Sequence, residues 1–488
     1  MKIALAVQLD LVTENKKTDD WLIKRALENL GVEVDIINWR DKKIDLKQYD
    51  SIIVASTWNL HKNPQEFLAW IKECDSDRRR LINAAELLRI GMNKDEYLTL
   101  LLDKFGFIYS KHGSITPSVF IKDNDTSFTA KITELKAAHP TIWAEDIVMK
   151  PIISADGDDT YRFTADETLI CKDRKRYRPF SEADSILNSL LAIKGSRGVI
   201  IQPFIPSVDK SGEYQLVFIG GKFSHATVKP KGFKNNNTTD RVPIEPGNLP
   251  NGMHEFANNI MRHLQEIHPD GLTRLRLDFF AGDNGPILCE AEMVEPNTNI
   301  RRLSTAQQKD VIKKYAAEIF SRTEQLQAIA KLKEILGDKS ERYMSLIKNQ
   351  KFFKAILKLH EAKDSILAQL ANEPVLINEA RRSFPNYFKK CLDALISFEA
   401  IEKPMKKDKA KLLQSFNNAI NDFTPGVLSY GKNSILTTLN SIIKFVVELF
   451  TRKPATNLFF SRISPKDKLK ATHQDLNLTE EIPTTRKS

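Results

Sequence analysis

The 488-residue chain has little cysteine, and glycine is scarce after its first 320 residues. Its four cysteines, Cys74, Cys171, Cys289 and Cys391, stand far apart and form no CxxC pair. That spacing excludes a zinc ribbon and a disulfide scaffold, and it fits a reducing compartment. No stretch reaches the roughly 18 uncharged apolar residues of a membrane span. The nearest, Ser434 to Phe450, is interrupted by Lys444 and Glu448. The N-terminal MKIALAVQLDLVTENKK reads as a strand, because Asp10 ends its short apolar stretch and no small-residue cleavage site follows. A cytoplasmic protein is therefore expected. No GxGxxG follows the first strand and no GxxxxGK[ST] occurs, so a dinucleotide fold and a Walker-type NTPase lack support.

What is present divides the chain in two. At 41% hydrophobic and 28% charged residues the composition is that of a folded protein. The net charge of +10 is unevenly placed. Residues 321–488 hold 29 Lys+Arg and 18 Asp+Glu, a surplus of +11, whereas the first 320 hold 44 and 45. Only Gly337, Gly426 and Gly431 lie beyond residue 320. A neutral, glycine-bearing front precedes a basic, glycine-poor back.

The front opens on alternating strands and helices. Lys2 to Leu9, Val32 to Trp39 and Ser51 to Thr57 are strand-like. WLIKRALENLG places Leu22, Ala26, Leu27 and Leu30 on one helical face, with Gly31 as its C-cap. Pro64 opens another helix. Such alternation predicts a small parallel α/β sheet. From about Gly91, strands separated by polar loops take over. EYQLVFIGGKFSHATVKPK predicts a hairpin turning at Gly220-Gly221, and LRLDFFAGDNGPILCEAEMVEPN a second one turning near Asp283-Asn284-Gly285.

The second hairpin carries the strongest chemical signal. Asp278 lies inside one strand. Glu290 and Glu292 are two apart on the other and so share a face. If the strands pair, three carboxylates converge and repel unless a cation lies between them. Oxygen-only ligands suit Mg²⁺ or Mn²⁺ holding nucleotide phosphates. The plain alternative is a solvated hairpin face. Lys150, Lys229, Arg274 and Arg276 sit among apolar strand residues, either as strand-end surface charges or together as a cradle for a triphosphate. His225, beside the first hairpin, reads as a packing histidine.

The order of motifs resembles the ATP-grasp superfamily, in particular its prokaryotic glutathione synthetase-like and D-cycloserine-ligase-like group. The stretches that carry the resemblance are STWNLHKNPQEFLAW, NKDEYL, IVMKP, SADGDDTYRF, VIIQPFIPSVDKSGEYQLVFIGGKFSHATVK and RLDFF…ILCEAEMVEP. They cover nearly all of residues 1–320 and none of the back. The resemblance implies an α/β (α+β) ATP-grasp fold with an N-terminal parallel α/β pre-grasp domain (1–91) and a nucleotide-binding domain (92–320). The back would be an all-α basic extension (321–453) and a polar, disordered tail (454–488).

The resemblance also implies roles. Lys94 and Lys150 would be the two phosphate-binding lysines, with Lys150 at the base of the adenine pocket. Ser154 to Thr160, with Gly157, would be the mobile phosphate loop, although Asp156, Asp158 and Asp159 depart from the family's glycines. The backbone at Gln202, Phe204 and Ile205 would read the adenine edge. Asp209, or its rival Glu213, would take the ribose hydroxyls. Lys229 would lie near the γ-phosphate, and Arg276 would hold the transferred phosphate and the developing oxyanion. Asp278, Glu290 and Glu292 would be the magnesium ligands.

The implied activity is an ATP- and Mg²⁺-dependent carboxylate–amine (or thiol) ligase working through an acylphosphate. Trp58 and His61, after a strand C-terminus, and Arg301 and Arg302, after the metal strand, are candidate contacts to the acid and amine. A second reading gives the ligase a protein acceptor. A third makes it a catalytically inactive nucleotide-binding or interaction protein, on the strength of the Asp-rich loop.

In the back, KFFKAILKLHEAKDSILAQL predicts an amphipathic helix with Phe352, Ile356, Leu359, Ile366 and Leu370 on one face. Pro374, Pro385 and Pro404 are expected to break later segments. Lys403 to Lys411 reads as a solvated loop or helix start, and Ser434 to Phe450 as a core helix. The basic helices suggest a protein or acidic-surface partner. Nucleic acid is disfavoured, because aromatic residues do not interleave with the charges. The back also looks like the extensions of proteins that bacterial pathogens deliver into host cells by a secretion system.

Overall fold

The computed structural model describes residues 1–9, 18–75, 81–107, 111–123, 126–143, 145–155, 157–193, 197–229, 241–268, 271–337, 340, 343, 350–371, 373–400, 406–420 and 432–451. The polar tail, Asp156 and Pro404 lie outside the described residues. The chain divides into two compact units, Met1–Ile319 and Phe320–Ser488, with the division inside one helix, Thr305–Leu336.

The first unit opens on a parallel sheet. It contains β1 (Lys2–Val7), β2 (Glu33–Asn38), β3 (Ser51–Val54) and β4 (Leu81–Ile82), in the order β2-β1-β3-β4. Ile3 to Val7 are almost fully buried. An apolar run covered on both faces needs no alternation of polar residues. Helix Pro64–Asp75 starts at its proline, whose missing N–H costs nothing at a first turn. It packs Phe67 and Trp70 against Trp39. β4 has only two residues, too few to carry a periodic pattern, and the sequence reading did not foresee it.

Two further sheets complete the unit. One contains β6 (Val119–Ile121), β7 (Ile147–Pro151), β8 (Tyr161–Phe163), β9 (Tyr177–Arg178) and β10 (Val199–Pro203), in the order β6-β10-β7-β8-β9. The other contains β5 (Ser114–Ile115), β11 (Glu213–Ile219), β12 (Lys222–Lys229), β13 (Val242–Ile244), β14 (Arg274–Gly282) and β15 (Gly285–Glu292), in the order β13-β12-β11-β14-β15-β5. Both expected hairpins form, as antiparallel pairs β11–β12 and β14–β15. On β14, Leu275, Leu277 and Phe279 are fully buried in a core shared with Met253, Phe256, Ile260 and Leu264 of helix Met253–Ile267. Strand alternation therefore turns Arg274, Arg276 and Asp278 to the opposite face.

The second unit is helical throughout its described residues. Besides the end of Thr305–Leu336 it holds Gln350–Gln369, Pro374–Glu399, Lys406–Ile420 and Lys432–Thr451. Phe352, Ile356, Leu359, Ile366 and Leu370 are all buried in its core, together with Ile435, Leu439, Ile443, Val446 and Phe450 of the last helix. Among the described residues no helix is long and apolar enough to cross a membrane. Pro385 corrects an expectation. It lies inside helix Pro374–Glu399 and does not end it. Proline removes one backbone bond, and burial of Phe384, Tyr387, Phe388 and Cys391 around it offsets the loss.

Candidate active site

The β14–β15 ladder brings the sequence-predicted carboxylates together. Asp278 pairs directly with Glu290, and Arg276 with Glu292. A bulge between Asp278 and Phe279 lets Cys289 stand as the extra residue of β15. Asp278 is 1% exposed. Arg276 grips it with two bonds, Nε to Oδ1 at 2.8 Å and Nη2 to Oδ2 at 2.8 Å. Glu290 meets Lys94 Nζ at 3.2 Å, and Lys94 also donates to the Ser154 carbonyl at 2.7 Å. Glu292 accepts from the Val294 and Glu295 backbone amides. Lys94, 7% exposed, is thus the bridge between the carboxylate strand and the Ser154–Thr160 loop.

The electrostatics follow from burial and proximity. Burial pushes Asp278 up, and Glu213 and Glu290 add to it against the pull of Arg276. Burial and the neighbouring Glu290 also raise Glu292. Burial acts on Glu290 too, but the charges of Lys94, Lys150 and Arg276 outweigh it and bring its carboxyl down to about 2. Burial and the charge of Lys94 lower Lys150, against Glu290. Arg276 is held above its usual value, because Asp278, Glu292 and Glu290 outweigh its burial.

Asp278, Glu290 and Glu292 are hard oxygen donors. Among the described residues no three Asp, Glu, His or Cys side chains are gathered to hold a metal by themselves. A magnesium ion that arrives with nucleotide phosphates needs only one or two protein carboxylates, and this set fits that need.

Other predicted residues fall around this centre. Lys150 lies on β7 opposite Ile200 of β10. Lys229 ends β12 with its Nζ 3.8 Å from Glu213. Gln202 donates through its side chain to Ser118 at 2.9 Å. The Phe204 amide donates to the Asp146 carbonyl at 2.8 Å. Asp209 is paired with Arg162 at 3.1 Å. In the loop, Gly157 has φ +74° and Thr160 donates to the Asp158 carbonyl. Asp158 turns to His61, with Oδ2 3.3 Å from Nε2. That contact places His61 beside the loop.

Trp58, Arg301 and Arg302 share one cavity of about 310 Å³. Asp19, Asp20, Arg241, Arg274, Glu295 and Asn297 line it too, and the sequence reading missed all of them as cavity residues except Arg274, taken there as a phosphate cation. Asp20 is buried, accepts from Ser56 at 2.7 Å and is pushed up by burial. Asp19 accepts from Thr298 at 2.6 Å. Arg276 donates to the Asn297 carbonyl at 3.3 Å, which joins the cavity wall to the carboxylate centre. Gln215, also unforeseen, donates to Asp278 and Glu213 and accepts from Arg241 and Asn299. Its only signal in the sequence was its position two residues after Glu213.

Residues 3–83 match the family of the N-terminal domain of D-cycloserine synthetase DcsG. The cycloserine biosynthesis protein DcsG of Streptomyces lavendulae is 27% identical over 307 residues, 61% of this chain and 92% of that protein. The crystal structure of D-cycloserine synthetase DcsG superposes with a TM-score of 0.51 at 22% identity, over 66% of this chain and all of that one. In sequence and in fold, this chain is similar to D-cycloserine synthetase DcsG.

Proposed function

We propose that the first unit is an ATP- and Mg²⁺-dependent ligase that joins a carboxylic acid to an amine through an acylphosphate. The observation that carries this reading is the convergence of Arg276, Asp278, Glu290 and Lys94 on one face of the β14–β15 ladder. Lys94 and Lys150 would hold phosphate oxygens, and Lys229 the γ-phosphate. Mg²⁺, carried by the nucleotide and held by one or two of Asp278, Glu290 and Glu292, would supply positive charge to the phosphates. The acid's carboxylate oxygen attacks the γ-phosphorus and the bond to ADP breaks. The amine then attacks the acyl carbon, and phosphate leaves. Arg276 is placed to meet the developing oxyanion.

The cavity beside Arg276 carries both acids and guanidinium groups on its walls. A small molecule with both charges, such as an amino acid, suits such walls better than a purely apolar acid. The basic character of residues 321–488 supports a separate protein or acidic-surface partner for the helical unit.

The third reading, an inactive nucleotide-binding or interaction protein, rests on the Asp-rich loop. Asp158 is paired with His61, which weakens the case that the loop's acids oppose a triphosphate. Calorimetry of ATP with Mg²⁺, on the wild type and on Asp278→Ala, tests the reading. Mg²⁺-dependent binding that the variant loses supports it, and its absence in the wild type sinks both ligase readings. ADP release on addition of small amino acids, compared with cell-lysate protein, separates a small acceptor from a protein one.

A further inference from the structure

One buried cation, inside the SADGDDTYRF stretch, has been given no role so far. Arg162 stands in the middle of β8, directly after the Ser154–Thr160 loop, and is 8% exposed. Its guanidinium carbon lies 3.4 Å from the centre of the Phe204 ring and 5.7 Å from that of Tyr177. Its Nε donates to Asp146 at 2.6 Å, and its Nη1 to Asp209 at 3.1 Å. The Asp146 carbonyl in turn accepts from the Phe204 amide. One side chain therefore ties four segments: the exit strand of the phosphate loop, the approach to β7 and its Lys150, the hinge at Phe204, and the short helix Ser207–Ser211 that carries Asp209.

Only a planar, forked cation can do this. It must reach two carboxylates at fixed angles and lay a flat face on an aromatic ring, and the point charge of lysine satisfies neither geometry in full. The guanidinium and Asp146 are shielded from solvent, so that pair is screened less than a surface pair and fixes the fork, while Asp209 stays 43% exposed. An Asp209 carboxylate with one oxygen held in this way is aimed, and an aimed group needs little reorganisation when a ligand arrives.

We propose that Arg162 is a positioning residue of the nucleotide site, which orients Asp209 toward the ribose hydroxyls and holds the hinge at Phe204. The proposal rests on the ligase reading and adds to it a residue that acts through its neighbours. Its loss should damage recognition of the ribose end of the nucleotide more than that of the triphosphate end, which Lys94 and Lys150 serve.

The test is calorimetry of the full chain with Mg²⁺ and either ATP or 2′-deoxy-ATP. The wild type is expected to prefer ATP by about ten-fold, the value of one hydrogen bond to a charged group. Arg162→Met is expected to lose about ten-fold in ATP affinity and most of that preference, with Arg162→Lys between the two. Lys94→Met, as the reference, should weaken both nucleotides equally and keep the preference. Thermal melting identifies variants that fail to fold, and Arg162→Lys carries the comparison if Arg162→Met does. An unchanged preference in a folded Arg162 variant, or an equal loss for both nucleotides, overturns the proposal. A wild type that binds neither nucleotide overturns the ligase reading itself, and this proposal with it.

Discussion

Arg276 and Asp278 form a two-pronged ion pair on one face of a single strand, with both contacts at 2.8 Å. Asp278 is fully buried, so the pair is an energetic commitment as well as a chemical one. Removing one partner of a buried pair costs about 3–5 kcal/mol, because the other charge is left uncompensated. Arg276→Met should lower urea-unfolding stability by about that amount. It should also cut ligase turnover by about 100-fold or more. Adding Asp278→Asn should restore most of the stability and none of the turnover. Equal instability of the single and double variants would show that the pair is not the source.

Lys94 joins Glu290 to the Ser154–Thr160 loop through the Ser154 carbonyl. Lys94→Met removes both contacts and one cation from the proposed phosphate site. Its affinity for ATP with Mg²⁺ should fall by about 10–100-fold, the worth of one or two charged hydrogen bonds. Limited proteolysis should at the same time cut faster within residues 154–160. Unchanged affinity would remove Lys94 from the site.

Glu334 in the helical unit provides a pH test away from the β14–β15 carboxylates. Burial pushes it up, but the hydrogen bond from Lys363 and the charges of Lys331, Lys363 and His360 outweigh this and bring it from 4.5 to about 2. A carboxylate lowered by folding contributes stability that is complete above its ordinary value and is lost as pH falls through 4.5 toward about 2. Lys363→Met should therefore melt below the wild type at pH 6, and the gap should close near pH 2. The side chain is 48% exposed, so the gap should stay within about 1 kcal/mol. A gap that is the same at both pH values would rule out this pair as its cause.

Gly212 precedes β11 with φ +78°, and a Cβ there would lie 2.2 Å from the Lys229 carbonyl oxygen. Gly212→Ala therefore meets both backbone strain and a clash with backbone, which has no flexible end to move aside. A stability loss of about 1–3 kcal/mol is expected. The Glu213–Lys229 edge of the site should shift with it, visible as a raised KM for ATP. A variant as stable as the wild type would contradict the geometry.

Much of the centre was legible because its signals are local. Residues two apart on a strand share a face, so Glu290 and Glu292 could be paired on sight, and Asp283 to Gly285 announced the turn that brings Asp278 opposite. The apolar faces of the back helices were legible for the same reason, since a 3.6-residue period is written into neighbours along the chain. Pro385 was misread because its local rule, that proline ends helices, gave way to the burial of the aromatic side chains around it.

The sequence by itself determined the alternation of strands and helices, the two hairpins and the division into a neutral front and a basic back. The tertiary structure alone decided who meets whom. Lys94 reaches Glu290, Asp158 reaches His61, Arg162 reaches Phe204 and Asp209, and Asp19, Asp20, Arg241 and Glu295 close a cavity with Trp58. These partners lie tens to hundreds of residues apart. No period or spacing along a chain records such pairs, because they form only when separate sheets pack and burial makes each charge find its counterpart.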